Sequence, residues 1–146
     1  MAIDNPIELA VDFFKTIEDK DWHKLSKMLH DDFKYYGPTP DPFDKDIWLS
    51  FQKAVGSAFP DWSYNLQKVE QINHSVRVTV HITGTHSEVL DLPWEGAKPI
   101  PATGKEVEMP IEHAEVTFKD GQIASLKVEM GPHGSLPGLL EQLGID

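Results

Sequence analysis

The chain changes its hydrophobic period once, near its middle, and that change constrains its fold more than any other feature. Up to Pro60 the apolar residues recur every three or four positions; beyond it they alternate. Ile7, Val11, Phe14 and Ile17 mark one helical face, with Pro6 suited to a first turn. Trp22, Leu25, Met28 and Leu29 mark a second, short helix with Asp21 as its cap. Phe33, Tyr35 and Tyr36 fit a short strand. Pro38, Pro40 and Pro42 then impose a loop, because proline blocks both helix and ladder hydrogen bonds. Asp44 or Asp46 caps a third helix that carries Ile47, Phe51, Val55 and Ala58 on one face and ends at Pro60.

In the second half Trp62, Tyr64 and Leu66 alternate, as do Val76, Val78, Val80 and Ile82, with a turn at Asn73-His74 between the two runs. Val107, Met109 and Ile111 have one parity; Ala114, Val116 and Phe118 have the other. That switch predicts a β-bulge at Glu112-His113. Asp120-Gly121 is a hairpin turn, Leu126, Val128 and Met130 continue as the last strand, and residues 137–143 fit a terminal helix. Residues 87–104 are irregular yet carry Leu90, Leu92, Trp94 and Ile100. This predicts a packed-down loop, with Leu92 and Trp94 as lid residues. Helices followed by strands, with no repeat or interior linker, imply one α+β domain over residues 1–146, helices on one face of a curved sheet.

Composition narrows the function. The formal net charge of the 146 residues is -11, a surface that repels phosphate backbones and anionic lipid, so neither nucleic acid nor a membrane is expected as partner. The absence of cysteine excludes thiol nucleophiles, thiolate metal sites and disulfides. No metal site and no cofactor is expected. The seven histidines form no i, i+4 helical pair, and neither a glycine-rich phosphate loop nor a Gly-x-Ser-x-Gly elbow is present. The first residues lack a basic stretch followed by an apolar one, so the cytoplasm is the expected location.

Four strings point further. Ala58-Phe59-Pro60-Asp61-Trp62 resembles an "AFPD"-plus-aromatic segment, Ile82-Thr83-Gly84-Thr85-His86 a "TGTH" strand end, Pro101-Ala102-Thr103-Gly104-Lys105-Glu106-Val107 a "PPTGR-V" strand entry, and Phe118-Lys119-Asp120-Gly121-Gln122-Ile123 an "F-DGKI" hairpin. Together they resemble the SnoaL-like polyketide cyclase group of the nuclear transport factor 2-like superfamily over nearly the whole chain. The resemblance implies a cone in which N-terminal helices pack on a strongly curved, mostly antiparallel sheet around an apolar cavity, paired as a homodimer. It implies a small hydrophobic molecule as partner. Relatives cyclise polyketides by aldol chemistry, isomerise steroids or only bind ligands, and fold alone does not choose among these.

Such chemistry needs a base beside a carbonyl and a donor for the enolate oxygen. The SnoaL-like cyclases carry an acid on the strand before the Asp120-Gly121 turn, and the match places Ala114 there. The neighbouring ionisable residues, Glu112 and His113, become the candidate catalytic groups, with His86 as a third; each has a structural role as its alternative. Tyr36, Trp48, Phe51, Trp94 and Met109 are the candidate ligand-binding residues, and Tyr35 lies near the expected pocket mouth; core filling is the alternative for the aromatic ones. Arg77, Thr79 and His81 fall on the opposite face, suited to a dimer interface. The residues leave open whether the protein is a cofactor-free acid/base enzyme or a ligand-binding protein.

Overall fold

Each of the first three helices starts at a side chain that satisfies an orphan backbone N–H. The computed structural model describes residues 5–37, 41–93, 96–129 and 135–144. Helix α1 (Pro6–Glu18) is capped by Asn5, whose side chain accepts from the Glu8 N–H at 3.1 Å. Asp21 caps α2 (Trp22–Met28) through the Lys24 N–H, and Asp44 caps α3 (Lys45–Ala58) through the Ile47 N–H at 3.0 Å. The strands are β1 (Leu29–Tyr36), β2 (Phe43–Asp44), β3 (Lys68–Ile72), β4 (Ser75–Val80), β5 (Thr83–Thr85), β6 (Glu106–Glu108), β7 (Glu112–Lys119) and β8 (Gln122–Val128), followed by helix α4 (Ser135–Gln142). None of these helices is long and apolar enough to cross a membrane.

The sheet differs from the expected cone. Its six strands run β2-β1-β8-β7-β4-β3, and β5 pairs with β6 in a separate ribbon. The outer strands β2 and β3 do not pair with each other, so the sheet is open rather than strongly curved and closed. It is also mixed: β1 runs parallel to β8, with Tyr35 opposite Leu126, while β7–β8, β4–β7 and β3–β4 are antiparallel. The parallel pair sets the first strand inside the sheet, between β8 and the edge strand β2. Helices α1 and α3 cover one face, whose inward residues include Phe33 and Tyr35 on β1, Val76, Val78 and Val80 on β4, and Ala114 and Val116 on β7.

Three local expectations need correction. Residues 62–66 form no regular strand: Ser63 and Thr83 make an isolated bridge, and Asn65 sits at φ 45°, its side-chain amide donating to the His81 carbonyl at 2.9 Å. A left-handed residue breaks the pleat, although Tyr64 still points inward. The bulge expected at Glu112-His113 is absent as well. The β4–β7 ladder is regular from Val80↔Glu112 to Ser75↔Thr117, and the parity switch marks the break between β6 and β7, which belong to different sheets. Finally, Val11 and Ile47 lie at the edges of their helical faces, Ile47 being 45% exposed; the buried stripe of α3 runs instead through Trp48, Phe51, Gln52 and Val55.

The long segment after β5 packs down as its apolar content requires. Leu90 and Ile100 bridge, and Leu90 and Leu92 are buried. His86 clasps its far end: the His86 N–H donates to the Lys105 carbonyl, and the Gly104 N–H donates to the His86 carbonyl at 2.8 Å.

Candidate functional site

A cavity of about 100 Å³ lies between the covered face of the sheet and the helices. A dry engineered cavity of about 150 Å³ holds benzene; this one is smaller but partly open to the surface, so a larger molecule would extend through its mouth. Its sheet wall is Tyr35, Val80, Glu112, Ala114, Leu126 and Val128. Across from it stand Phe14 of α1, Phe51, Gln52 and Val55 of α3, and Trp62 and Tyr64 from the bent segment; Met109 and Leu139 are also in the lining.

Strand register explains how a carboxylate comes to stand in this wall. Glu112, Ala114 and Val116 share one face of β7, because alternate residues do. Glu112 is the cross-strand partner of Val80, and Ala114 that of Val128. The Glu112 side chain is only 6% exposed, with the Tyr35 phenol near enough to feel its charge. His113 has the other parity. It too is in the lining, and its Nδ1 lies 3.1 Å from the Thr79 hydroxyl.

Tyr35 faces the same space. Burial, reinforced by the Glu112 charge, pushes its phenol up to about 12. Burial also raises the Tyr64 phenol, while the neighbouring Trp62 side chain pulls the other way. Both hydroxyls therefore keep their protons at neutral pH and can donate. Below pH 10 both are neutral in either state, and above it the unfolded chain ionises first. Stability is thus expected to fall between pH 10 and 12, by up to about 1.4 kcal/mol per pH unit for each tyrosine. Urea midpoints of wild type, Tyr35→Phe and Tyr64→Phe across that range check it; the variants should show a shallower fall.

Gly37 lets the Tyr35 ring lie as it does. A Cβ at Gly37 would stand 2.5 Å from the Tyr35 hydroxyl oxygen and 2.7 Å from Cζ. Gly37→Ala must push the ring aside, so it is expected to cost about 1–3 kcal/mol by overpacking. A urea titration measures this, and the Tyr35 ring resonances should shift with it.

Gln52 was not singled out from sequence. It is 8% exposed, and its Oε1 accepts from the Tyr64 hydroxyl at 3.4 Å. The signal was present: an amide inside the apolar stripe Trp48–Phe51–Val55. Tyr64 is placed by Glu18, whose carboxylate accepts from its backbone N–H at 2.7 Å. The indole Nε1 of Trp62 is buried and completes no hydrogen bond among the described residues. An unmade buried hydrogen bond of this kind costs about 1–3 kcal/mol.

Of the residues expected from sequence, Glu112, His113, Phe51 and Met109 line the cavity. Trp48, Tyr36 and His86 are not among its lining residues. Trp48 is fully buried in the core against Phe13 and Phe33. Tyr36 points to the opposite face, 39% exposed, with the Lys127 ammonium 5.5 Å from its ring. His86 is stacked on Phe59 and fully buried; its Nδ1 accepts from the Thr103 N–H at 3.3 Å, and burial lowers its pKa. Trp94 lies outside the described residues. Among those residues, no group of three or more histidines and carboxylates is placed to hold a metal ion.

Known proteins bear on this geometry. The family model described as SnoaL-like polyketide cyclase matches residues 8–129. No curated protein matches the chain. Among solved structures, IdmH from Streptomyces antibioticus, a candidate polyketide cyclase, superposes with a TM-score of 0.72 at 21% identity, over 97% of this chain and 99% of its own. TsrD from Streptomyces laurentii gives 0.71 at 21%, over 98% of each chain. A SnoaL-like polyketide cyclase from Agrobacterium tumefaciens gives 0.68 at 12%, over 94% and 99%. At such identities the structures speak for the fold. The family model, spanning most of the chain, speaks for descent: the protein belongs to the SnoaL-like polyketide cyclase family.

Proposed function

We propose that the protein is a cofactor-free acid/base enzyme that acts on a small hydrophobic carbonyl compound, such as a polyketide, by aldol cyclisation or double-bond isomerisation. Glu112 is its base. The observation that carries this reading is the largely buried Glu112 carboxylate on the sheet wall of a mainly apolar cavity. It takes a proton from the carbon beside the carbonyl, and the electron pair moves onto oxygen as an enolate. A tyrosine hydroxyl, held in its protonated form by burial, donates to that oxygen. In a cyclisation the enolate carbon then attacks a second carbonyl of the same molecule, and Glu112 returns its proton to the new alkoxide. Family membership supports the class of reaction.

Ala114 favours a second reading, a protein that binds such a compound without transforming it. It stands in the cavity wall where the match places the acid of the SnoaL-like cyclases. The two readings part on one experiment. Acetophenone in deuterated buffer exchanges its methyl protons only through its enol or enolate. Exchange faster than buffer, followed by proton NMR, is the enzyme result; exchange at the buffer rate supports the binding reading. The proposal extends to a homodimer, as the resemblance implies, with the cytoplasm as its place.

A further inference from the structure

Three buried side-chain nitrogens complete no hydrogen bond among the described residues: Nε1 of Trp48, Nε1 of Trp62 and Nε2 of His86. Trp48 and His86 are not in the cavity lining, whereas Trp62 is. An indole N–H can only donate, so what it lacks is an acceptor. The ring is held in place. It meets Phe59 edge-on at 5.3 Å and 62°, and Tyr64 at 6.2 Å and 86°, while its backbone N–H donates to the Phe59 carbonyl. Beside it, the Tyr64 hydroxyl has a weak claim on Gln52 Oε1, at 3.4 Å. Trp62 is near enough to that hydroxyl to oppose the burial-driven rise of its pKa without completing a hydrogen bond to it. Both side chains line the cavity, together with the polar groups of Tyr35, Gln52, Glu112 and His113.

We propose that Trp62 and Tyr64 form an oxygen-recognition corner, and that the molecule held in the cavity places a carbonyl or equivalent acceptor oxygen against them. The cavity then discriminates between ketones and hydrocarbons of the same shape. This rests on the reading that the cavity binds a small molecule, and not on Glu112 acting as a base.

Acetophenone and ethylbenzene are matched single-ring probes that differ in that oxygen. Each is titrated into ¹⁵N-labelled protein, with the indole resonance of Trp62 assigned by its loss in Trp62→Phe. Acetophenone is expected to bind about tenfold more tightly, in line with one or two net hydrogen bonds, and to move the Trp62 indole N–H resonance. In Trp62→Phe the preference should fall at least about threefold. Equal affinity for the two probes, or binding of acetophenone that leaves the Trp62 indole resonance in place, overturns the corner. Failure of both probes to bind overturns it together with the cavity reading. Absence of proton exchange with the ketone preference intact overturns only the role of Glu112.

Discussion

Glu112→Gln is expected to reduce protein-catalysed proton exchange on acetophenone by about a hundredfold to ten-thousandfold, the usual worth of a positioned general base. Glutamine keeps the shape and the hydrogen-bonding reach of the side chain but cannot accept a proton at neutral pH. The site should therefore still bind the ketone. The effect belongs in the rate and not in the affinity, which separates loss of a base from loss of the cavity. Two neighbours serve as comparisons. His113→Gln removes the imidazole of the adjacent residue, whose Nδ1 already engages Thr79. It should leave most of the exchange in place. Ala114→Glu restores an acid at the position the resemblance assigns to the family. Placed one same-face step from Glu112, it offers a base from the position the family uses.

The largest expected loss of stability comes from the core beneath the site. Trp48 is fully buried, its ring 5.8 Å from Phe13 and 5.1 Å from Phe33. Trp48→Ala removes one of the largest fully buried side chains in the chain and leaves a cavity that the surrounding rings cannot fill. It is expected to cost about 3–5 kcal/mol, and to lower Tm by about 10 °C or more. Trp48→Phe should cost far less. The indole N–H has no partner to lose among the described residues, and the phenyl ring keeps most of the stacking. Calorimetry on the two variants checks both statements. A similar cost for the two would mean that the nitrogen matters after all. The damage from Trp48→Ala should reach the site, because Phe13 touches Phe14, and Phe14 meets the Tyr64 ring at 4.9 Å.

Local chemistry made much of this fold legible in advance. Pro6, Asp21 and Asp44 announce where helices begin, and Asp120-Gly121 adopts positive φ at both residues, as its turn requires. What could not be read was pairing. The parallel β1–β8 contact joins residues 29–36 to residues 123–127, and no periodicity names a partner ninety positions away. The mixed, open order of strands depends on that pair, so the cone taken from resemblance had to give way.

The site divides along similar lines. Glu112 reaches the cavity through plain alternation, without the bulge expected at that point. Tyr35 and Tyr36 are adjacent and must face opposite ways; the parity of the buried Phe33 was the clue that Tyr35, not Tyr36, points inward. Trp48 and Phe51 share a helical face, yet only Phe51 lies at the height of the cavity. That distinction depends on where α3 crosses the sheet, which is a property of packing. The donor pair at Trp62 and Tyr64 survives a broken strand, since the left-handed Asn65 bends the chain only after both rings have been placed.

For Glu112 to act as the base, its carboxylate must face the cavity closely enough to take a proton from the molecule held there. A crystal structure of the protein soaked with acetophenone tests this most directly. The ketone should lie inside the cavity, its methyl carbon within about 3.5 Å of a Glu112 carboxylate oxygen, a distance at which proton transfer is within reach. A ketone bound elsewhere, or one bound in the cavity with Glu112 turned away from its methyl group, would contradict it.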